Sequence, residues 1–328
     1  MAAVHNHLLS FTVLALLNAH CPLTSAQQEI TLISENFTLD DLHENEFGTM
    51  TYWEASGDAA LAADALTQLN FVREPDPEGE WLDMAFLSHA DGKLTVNTDT
   101  ALLLKSEGAE SVTGLRTERF QGFGEKSGIL KIALDARHPT NQLDYAVTWN
   151  VAESTCDFAD TLNAPDEIHL SLQTAGLAEG ATAAAFLLTD SDFSYRGRLV
   201  IHAKDEIHPE SIRAIELWGS RFHFESTGNS VIKGDILVDS LSDLYLGLNR
   251  EGDVFEGQIL NEIEESSTHL ALSSGADGVP TVSTNLIFLT GAKTVSSISR
   301  KRPDQLQLKI TMPTELPSPK LESKTAPG

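Results

Sequence analysis

The sequence predicts an all-β fold, a parallel β-helix (solenoid) behind a less regular N-terminal part, on three observations. Between Gly219 and Ile263, short apolar strands alternate with Gly/Asp/Ser turns. Val231-Ile-Lys-Gly-Asp-Ile236 and Val254-Phe-Glu-Gly-Gln-Ile259 share the pattern apolar-x-Gly-x-apolar, with their glycines 23 residues apart. Leu244-Tyr-Leu-Gly-Leu248 and the turn Asn249-Arg-Glu-Gly-Asp253 lie between them. Such a unit cannot bury its apolar side alone and stacks on its neighbours. From Lys93 onward, short apolar runs are parted by Gly, Asn, Asp or Pro, the texture of many short strands. Upstream, Tyr195-Arg-Gly-Arg-Leu199 repeats the glycine unit 37 residues before Gly234.

In chain order, residues 1–26 read as an export signal. The apolar run Leu8 to Leu17 has the length of a signal core and is too short to span a bilayer, and small residues at Thr24-Ser-Ala26 place cleavage after Ala26. His20 before Cys21 argues against lipidation, because a small residue is required there. Residues 27–92 form the irregular N-terminal region. Ile30-Thr-Leu-Ile33 reads as a strand, and the Ala/Leu spacing of Ala59 to Leu69 predicts a short helix. Residues 93–292 form the solenoid. Its expected strands include Leu94-Thr-Val96, Ala101 to Leu104, Ser111 to Leu115, Gly128 to Leu134, Leu143 to Trp149, Ile168 to Leu172, Ala184 to Leu188, Tyr195 to Ile201, Ile212 to Trp218 and Arg221 to Glu225. Ala152 to Asp166 reads as a polar internal loop. Ile215, Leu244 and Leu270, 29 and 26 residues apart, serve as second-strand landmarks of a drifting period, which turns of variable length would produce. Residues 293–328 hold the basic cluster Ser296 to Arg302, a strand at Leu306 to Ile310, and a Pro-rich linker or tail.

Charge narrows the function. The chain of 328 residues carries 48 acidic and 22 basic side chains, a formal net of −26. Nucleic acid requires clustered Lys and Arg, so that class is excluded. After cleavage one cysteine remains, Cys156, which rules out an intramolecular disulfide and a Cys-based metal site. Asn36-Phe-Thr38 fits an N-glycosylation sequon, relevant only in a eukaryotic host.

The units Asn229 to Ile236 and Asp253 to Ile259, the strands Leu244 to Leu248 and His269 to Ser273, and the degenerate copy Asp192 to Leu199 resemble the passenger region of pertactin-like bacterial autotransporters. The resemblance covers about 100 residues between Tyr195 and Gly291 well, and about 230 loosely. It implies a right-handed parallel β-helix at the cell surface, often adhesive. Members of that family also carry a C-terminal translocator barrel. No series of amphipathic strands of about ten residues follows Ala292, so the chain is expected to be a passenger without its barrel or to use another exit route.

Parallel β-helices also host polysaccharide lyases and hydrolases, which need paired carboxylates or a carboxylate beside a base. Asp235, Asp239, Asp243 and Asp253 sit in turn contexts, where aspartate caps backbone N–H groups. His202 and His208 flank a polar turn, and His223 alternates with Phe222 and Phe224 as an outward strand residue. Gly122-Phe-Gly-Glu-Lys-Ser-Gly128 misses phosphate-loop spacing and reads as a turn between strands, while Gly219-Ser-Arg is no nucleophile elbow. Cys156 reads as buried and inert. Among Trp218, Phe222, Phe224, Tyr245 and Phe255, core stacking is expected for most. The sequence thus assigns no catalytic, cofactor-binding or metal-ligating residue, and its binding residues are unknown.

The expectation is an exported β-solenoid interaction module. It would sit at the cell surface or outer membrane, outside the cell, or in the periplasm. It would adhere to a protein or glycan by contact along a face, without catalysis or cofactor and without a transmembrane helix in the mature chain. The alternative is a secreted β-helical carbohydrate-active enzyme with carboxylates of adjacent rungs aligned on one face. A periplasmic β-sandwich binding protein is a third possibility.

Overall fold

Strict two-residue alternation in Thr100–Glu107, Leu130–Arg137 and Glu167–Ala175 sends Leu102, Leu104, Ile132, Leu134, Ile168, Leu170 and Leu172 inward, and leaves Lys105, Lys131 and Gln173 outside. Three such segments, pairing side by side in parallel, make one wall of a tube. The structure, a computed structural model, describes residues 28–46, 48–63, 66–73, 81–96, 99–124, 128–158, 164–205, 211–248, 250–261, 267–271 and 281–288. The export signal, the basic cluster, the strand at Leu306 and the Pro-rich tail lie outside the described residues.

The described strands form a three-sided parallel β-helix of nine rungs. Face 1 holds β1 (Gln28–Leu32), β5 (Ala59–Ala63), β8 (Lys93–Val96), β11 (Gly122–Phe123), β14 (Thr155–Phe158), the first half of β17 (Asp192–Asp205), β19 (Arg221–Ser226), β22 (Asp243–Gly247) and β24 (Ser267–Ala271). Face 2 holds β2 (Glu35–Phe37), β6 (Thr67–Val72), β9 (Thr100–Glu107), β12 (Leu130–Arg137), β15 (Glu167–Ala175), the second half of β17, β20 (Val231–Lys233), and the first halves of β23 (Val254–Asn261) and β25 (Thr281–Phe288). Face 3 holds β4 (Met50–Ser56), β7 (Asp83–Ala90), β10 (Ser111–Glu118), β13 (Leu143–Ala152), β16 (Leu177–Thr189), β18 (Ile212–Trp218), β21 (Asp235–Val238) and the second halves of β23 and β25. With strands about 4.8 Å apart, nine rungs stack to roughly 40 Å. Face 1 is laddered in two blocks, which touch where Gly122 packs on the Phe158 ring.

Rung length varies while register holds. Ile132 stands beside Leu170, 38 positions on, whereas Ile232 stands beside Phe255, 23 positions on. The repeat seen in the sequence is therefore structural: Ile232 aligns with Phe255 and Ile236 with Ile259. Gly234 and Gly257 stack at the corner between faces 2 and 3, where a Cβ on Gly257 would fall 2.1 Å from the Gly234 carbonyl.

Four expectations need correction. The described residues of the helix expected over Ala59 to Leu69 are strands instead, Ala59–Ala63 in β5 and the start of β6 from Thr67, with Ala59, Leu61, Thr67 and Leu69 buried in register with their neighbours; strand pairing on both sides overrides alanine's helix propensity. The polar stretch 152–166 contains β14, whose Cys156 and Phe158 point inward; four residues were too few to show alternation among polar neighbours. Gly197 is no counterpart of Gly234, because Val200 aligns with Val231; it turns the corner between faces 1 and 2 instead. The landmarks also mix faces, since Ile215 pairs with Ile236 on face 3 whereas Leu246 pairs with Leu270 on face 1. The less regular N-terminal part amounts to the 3-10 turn Leu39–Asp41 and β3 (His43–Glu44), which pairs antiparallel with β4.

The corner from face 3 to face 1 is built alike in six successive rungs. Gly57, Asp91, Arg119, Glu153, Asp190 and Gly219 all have left-handed φ, between 47° and 83°. This costs a non-glycine residue about 1–2 kcal/mol. It is offset by an N–H bond from each of the first five to a carbonyl of the next rung: Ala90, Glu118, Ala152, Thr189 and Trp218. Just past the corner, buried serines continue the ladder. Phe120 N–H donates to Ser154 Oγ, Ser154 N–H to Ser191 Oγ, Ser191 N–H to Ser220 Oγ and Ser220 N–H to Ser242 Oγ, at 2.9, 3.0, 3.0 and 2.8 Å.

Inside, rings from face 1 and face 3 run as one column. Phe120, Phe123, Trp149, Phe158, Phe186, Phe193, Phe222 and Phe224 meet at centroid distances of 5.1–6.4 Å.

Candidate functional site

Outward positions of β17, β19 and β22 fall in register on face 1 and form a strip. Asp192, Arg221 and Asp243 make one line across three rungs; Ser194, His223 and Tyr245 make the next. Arg221 Nη1 lies 3.8 Å from Asp192 and Nε 3.5 Å from Asp243, so one guanidinium is strung between two carboxylates. The His223 and Tyr245 rings stack at 4.1 Å with planes 23° apart. A shallow cleft of about 370 Å³ opens among these residues. A flat aromatic pair flanked by alternating charges offers one apolar surface and fixed hydrogen-bonding groups, which suits a sugar ring or an extended peptide.

Face 3 carries a different arrangement. Five successive ladders lack one pair while their register holds, at Tyr52/Phe86, Phe86/Gly114, Gly114/Thr148, Thr148/Ala185 and Ala185/Ala214. The sheet creases there with its concave side outward. Tyr145 and Asn150, about 16 Å apart along a straight strand, are joined by a 3.1 Å bond from Asn150 Nδ2 to the Tyr145 hydroxyl. Val147, Ala184 and Leu187 lie buried in the crease under Tyr145, separate from the main core. Polar groups border it: Arg116 donates to Thr49 Oγ1 at 2.8 Å and pairs with Glu118, and Ser111 donates to Asp83 at 2.5 Å. Trp218 Nε1 donates to Glu216 at 3.0 Å. Asn150 Oδ1 is buried without a partner, and burial raises the Tyr145 phenol well above its ordinary value.

The residues singled out in the sequence divide as follows. Phe222, Phe224 and Phe255 are core, while Tyr245 and Trp218 face outward. His223 is exposed, as its alternation predicts. Asp239 and Asp253 are turn caps: Asp239 accepts from Leu241 N–H, Gly219 N–H and the Ser242 hydroxyl; Asp253 accepts from Ser230 N–H, Arg250 N–H and the Ser226 hydroxyl. Asp235 and Asp243 instead open strands β21 and β22, Asp235 accepting from Gln258 N–H and Asp243 facing Arg221. Cys156 is buried, and burial pushes its thiol up to about 12, well away from a reactive thiolate. Gly122 opens β11 and packs on the Phe158 ring, while residues 125–127 of its glycine-rich run lie outside the described residues. Asn36, in the sequon, is exposed and accepts from Asn70 Nδ2 at 2.7 Å. His202 sits on the outer side of β17, while His208 lies outside the described residues.

Sequence reasoning missed Arg221, Asp192 and the crease residues Tyr145, Asn150, Arg116 and Glu216. The available signal for the strip was a shared two-residue alternation in Asp192-Phe-Ser-Tyr, Arg221-Phe-His-Phe and Asp243-Leu-Tyr-Leu. Among the described residues, no group of three or more His, Cys, Asp or Glu is placed to hold a metal, and no helix is long and apolar enough to cross a membrane. Compared with protein-family models, with curated proteins and with solved structures, the chain finds no match.

Proposed function

We propose that this chain is an exported β-solenoid interaction module of autotransporter-passenger type, displayed at the cell surface or released, which adheres to a protein or glycan through the strip on face 1. The stacked His223–Tyr245 pair carries this reading. Two aromatic rings kept at a solvent-facing position, beside an arginine bridging two carboxylates, give an extended contact face on rigid strands. Immobilised glycans and host-cell surfaces, probed with purified protein, test it. Binding should fall at least about tenfold in His223→Ala/Tyr245→Ala, a loss in the range of one interfacial anchor. Unchanged binding overturns the role of the strip. Fractionation of a tagged full-length chain tests export, and retention in the cytoplasm overturns it.

One observation favours the enzymatic alternative. The crease gathers Asp83, Glu118 and Glu216 from different rungs around Arg116 and Tyr145, on one concave face. Incubation with acidic and neutral polysaccharides, read for new reducing ends or unsaturated products, decides between the two; turnover lost in Tyr145→Phe would replace adhesion by catalysis.

A further inference from the structure

A second cleft, of about 430 Å³, opens at the corner between faces 1 and 2, bordered by Asp166 and Glu167 on one rung, Arg196 and Arg198 on the next, and Thr227 to Asn229 on the third. Two arginines at this corner stand apart from the others. The described residues include nine arginines, and seven of them have a carboxylate within 4.0 Å: Arg73, Arg116, Arg119, Arg137, Arg198, Arg213 and Arg221. Arg196 and Arg250 are the two that do not. In a chain of net charge −26 an uncommitted guanidinium is unusual, and both sit at this corner. Arg196 borders the cleft from the exposed side of β17. Arg250 flanks it on the following rung, its Cβ 3.7 Å from where a side chain on Gly228 would begin.

The surroundings keep Arg196 available. Glu225 is in register with it on β19 but turns to His223, at 3.5 Å. Glu167 is taken by Arg198 at 3.1 Å and by His169 at 2.9 Å. Arg198 is fixed further by a 3.0 Å bond from Nε to the Asn229 carbonyl, so the Arg198–Glu167 pair forms a rigid, neutral wall. Gly228, at φ +122°, bears no side chain to fill the mouth.

We propose that this corner binds a single acid group of a saccharide, the carboxylate of a uronic acid or a sulfate ester. Arg196 supplies the forked contact and Arg250 a second positive charge. The guanidinium fork matches a planar or tetrahedral oxyanion bidentately. Asp166 on the opposite rim, together with the overall acidity, disfavours long polyanions and selects an isolated charge. The site lies at the corner between faces 1 and 2, apart from the His223–Tyr245 cleft on face 1, and does not rest on the adhesive role of that strip.

Calorimetric titration at low ionic strength, with trigalacturonic acid, a sulfated galactotriose and neutral galactotriose as probes, tests this. One or both acidic probes should bind saturably and the neutral one at least about tenfold more weakly; Arg196→Gln should remove that preference, Arg196→Lys should restore part of it, and Arg137→Gln should leave it unchanged. Binding of only one acidic probe names the acid group and supports the site. Equal binding of acidic and neutral probes, absence of saturable binding, or an acid preference that survives Arg196→Gln overturns it. Arg196 is exposed, and circular dichroism of the variants confirms that each loss is local.

Discussion

Faces 2 and 3 belong to the same rungs, yet they follow different rules. On face 2 strands such as β9, β12 and β15 alternate inward and outward residues, and outward ones such as Lys131 and Lys105 meet solvent. On face 3 Ala85, Thr113, Val147 and Ala184 are buried although they point away from the core, because the sheet folds over them along its crease. A flat wall has one buried side; a creased wall has two. The crease gives the outer surface a concave line with its own small apolar cluster, and there polar side chains from separate rungs converge.

That contrast can be broken or sharpened by mutation. The largest effect is expected inside face 3, where Trp149 is fully buried, packs on Phe186 at 5.1 Å and donates to Thr117 Oγ1 at 3.1 Å. Trp149→Ala should cost about 3–5 kcal/mol, read as a lower urea midpoint. Next comes the outer side. Val147→Asp should cost about 3 kcal/mol, by burying an unpaired charge in the crease, whereas Lys131→Asp on face 2 should stay within about 0.5 kcal/mol. Equal tolerance at the two positions would mean that the crease is open to water.

Ser191→Ala should follow, at about 1–3 kcal/mol, since it strands the buried Ser154 N–H and removes the hydroxyl donated to the Thr189 carbonyl. A serine ladder of no energetic weight would show no change in thermal midpoint. The smallest effect is one of pH. His89 is buried, its Nε2 on the Gly57 carbonyl at 2.9 Å, and burial lowers its pKa despite the opposing pull of that bond, Asp58 and Asp91. The unfolded chain therefore binds this proton more readily. Stability contributed by the neutral imidazole is complete above the unfolded value near 6.5 and declines as pH falls towards the lowered folded one. The urea midpoint should drop between about pH 7.5 and about pH 5, and His89→Gln should flatten that slope.

The same contrast explains what the sequence made legible. Strands such as Leu130–Arg137 could be read because one side is apolar and the other polar. The stacked glycines 234 and 257 could be read because only a residue without a side chain fits that contact. Ala59 to Leu69 misled because alanine and leucine suit a helix as well as a strand buried between two rungs. The crease left no periodic signal, since apolar residues on both sides of a strand erase alternation. The left-handed corner was hidden too: Asp91, Arg119, Glu153 and Asp190 share a conformation but no single residue type. Both candidate sites depend on residues 20 to 40 positions apart coming into line, and no local pattern encodes that.

The corner bonds also make each rung a template for the next. At five successive corners between faces 3 and 1, an N–H of the earlier rung reaches a carbonyl of the later one, and just past them N–H groups of the later rung, such as those of Asp192, Arg221 and Asp243, reach back to the carbonyls of Ser154, Ser191 and Ser220. A half-formed stack therefore ends in a row of unpaired donors and acceptors that only the next turn of chain can satisfy. Growth from such an end resembles crystallisation on a seed more than the collapse of a globule, with each turn laid on a template already in place. A chain delivered N-terminus first would order itself in the sequence in which it arrives.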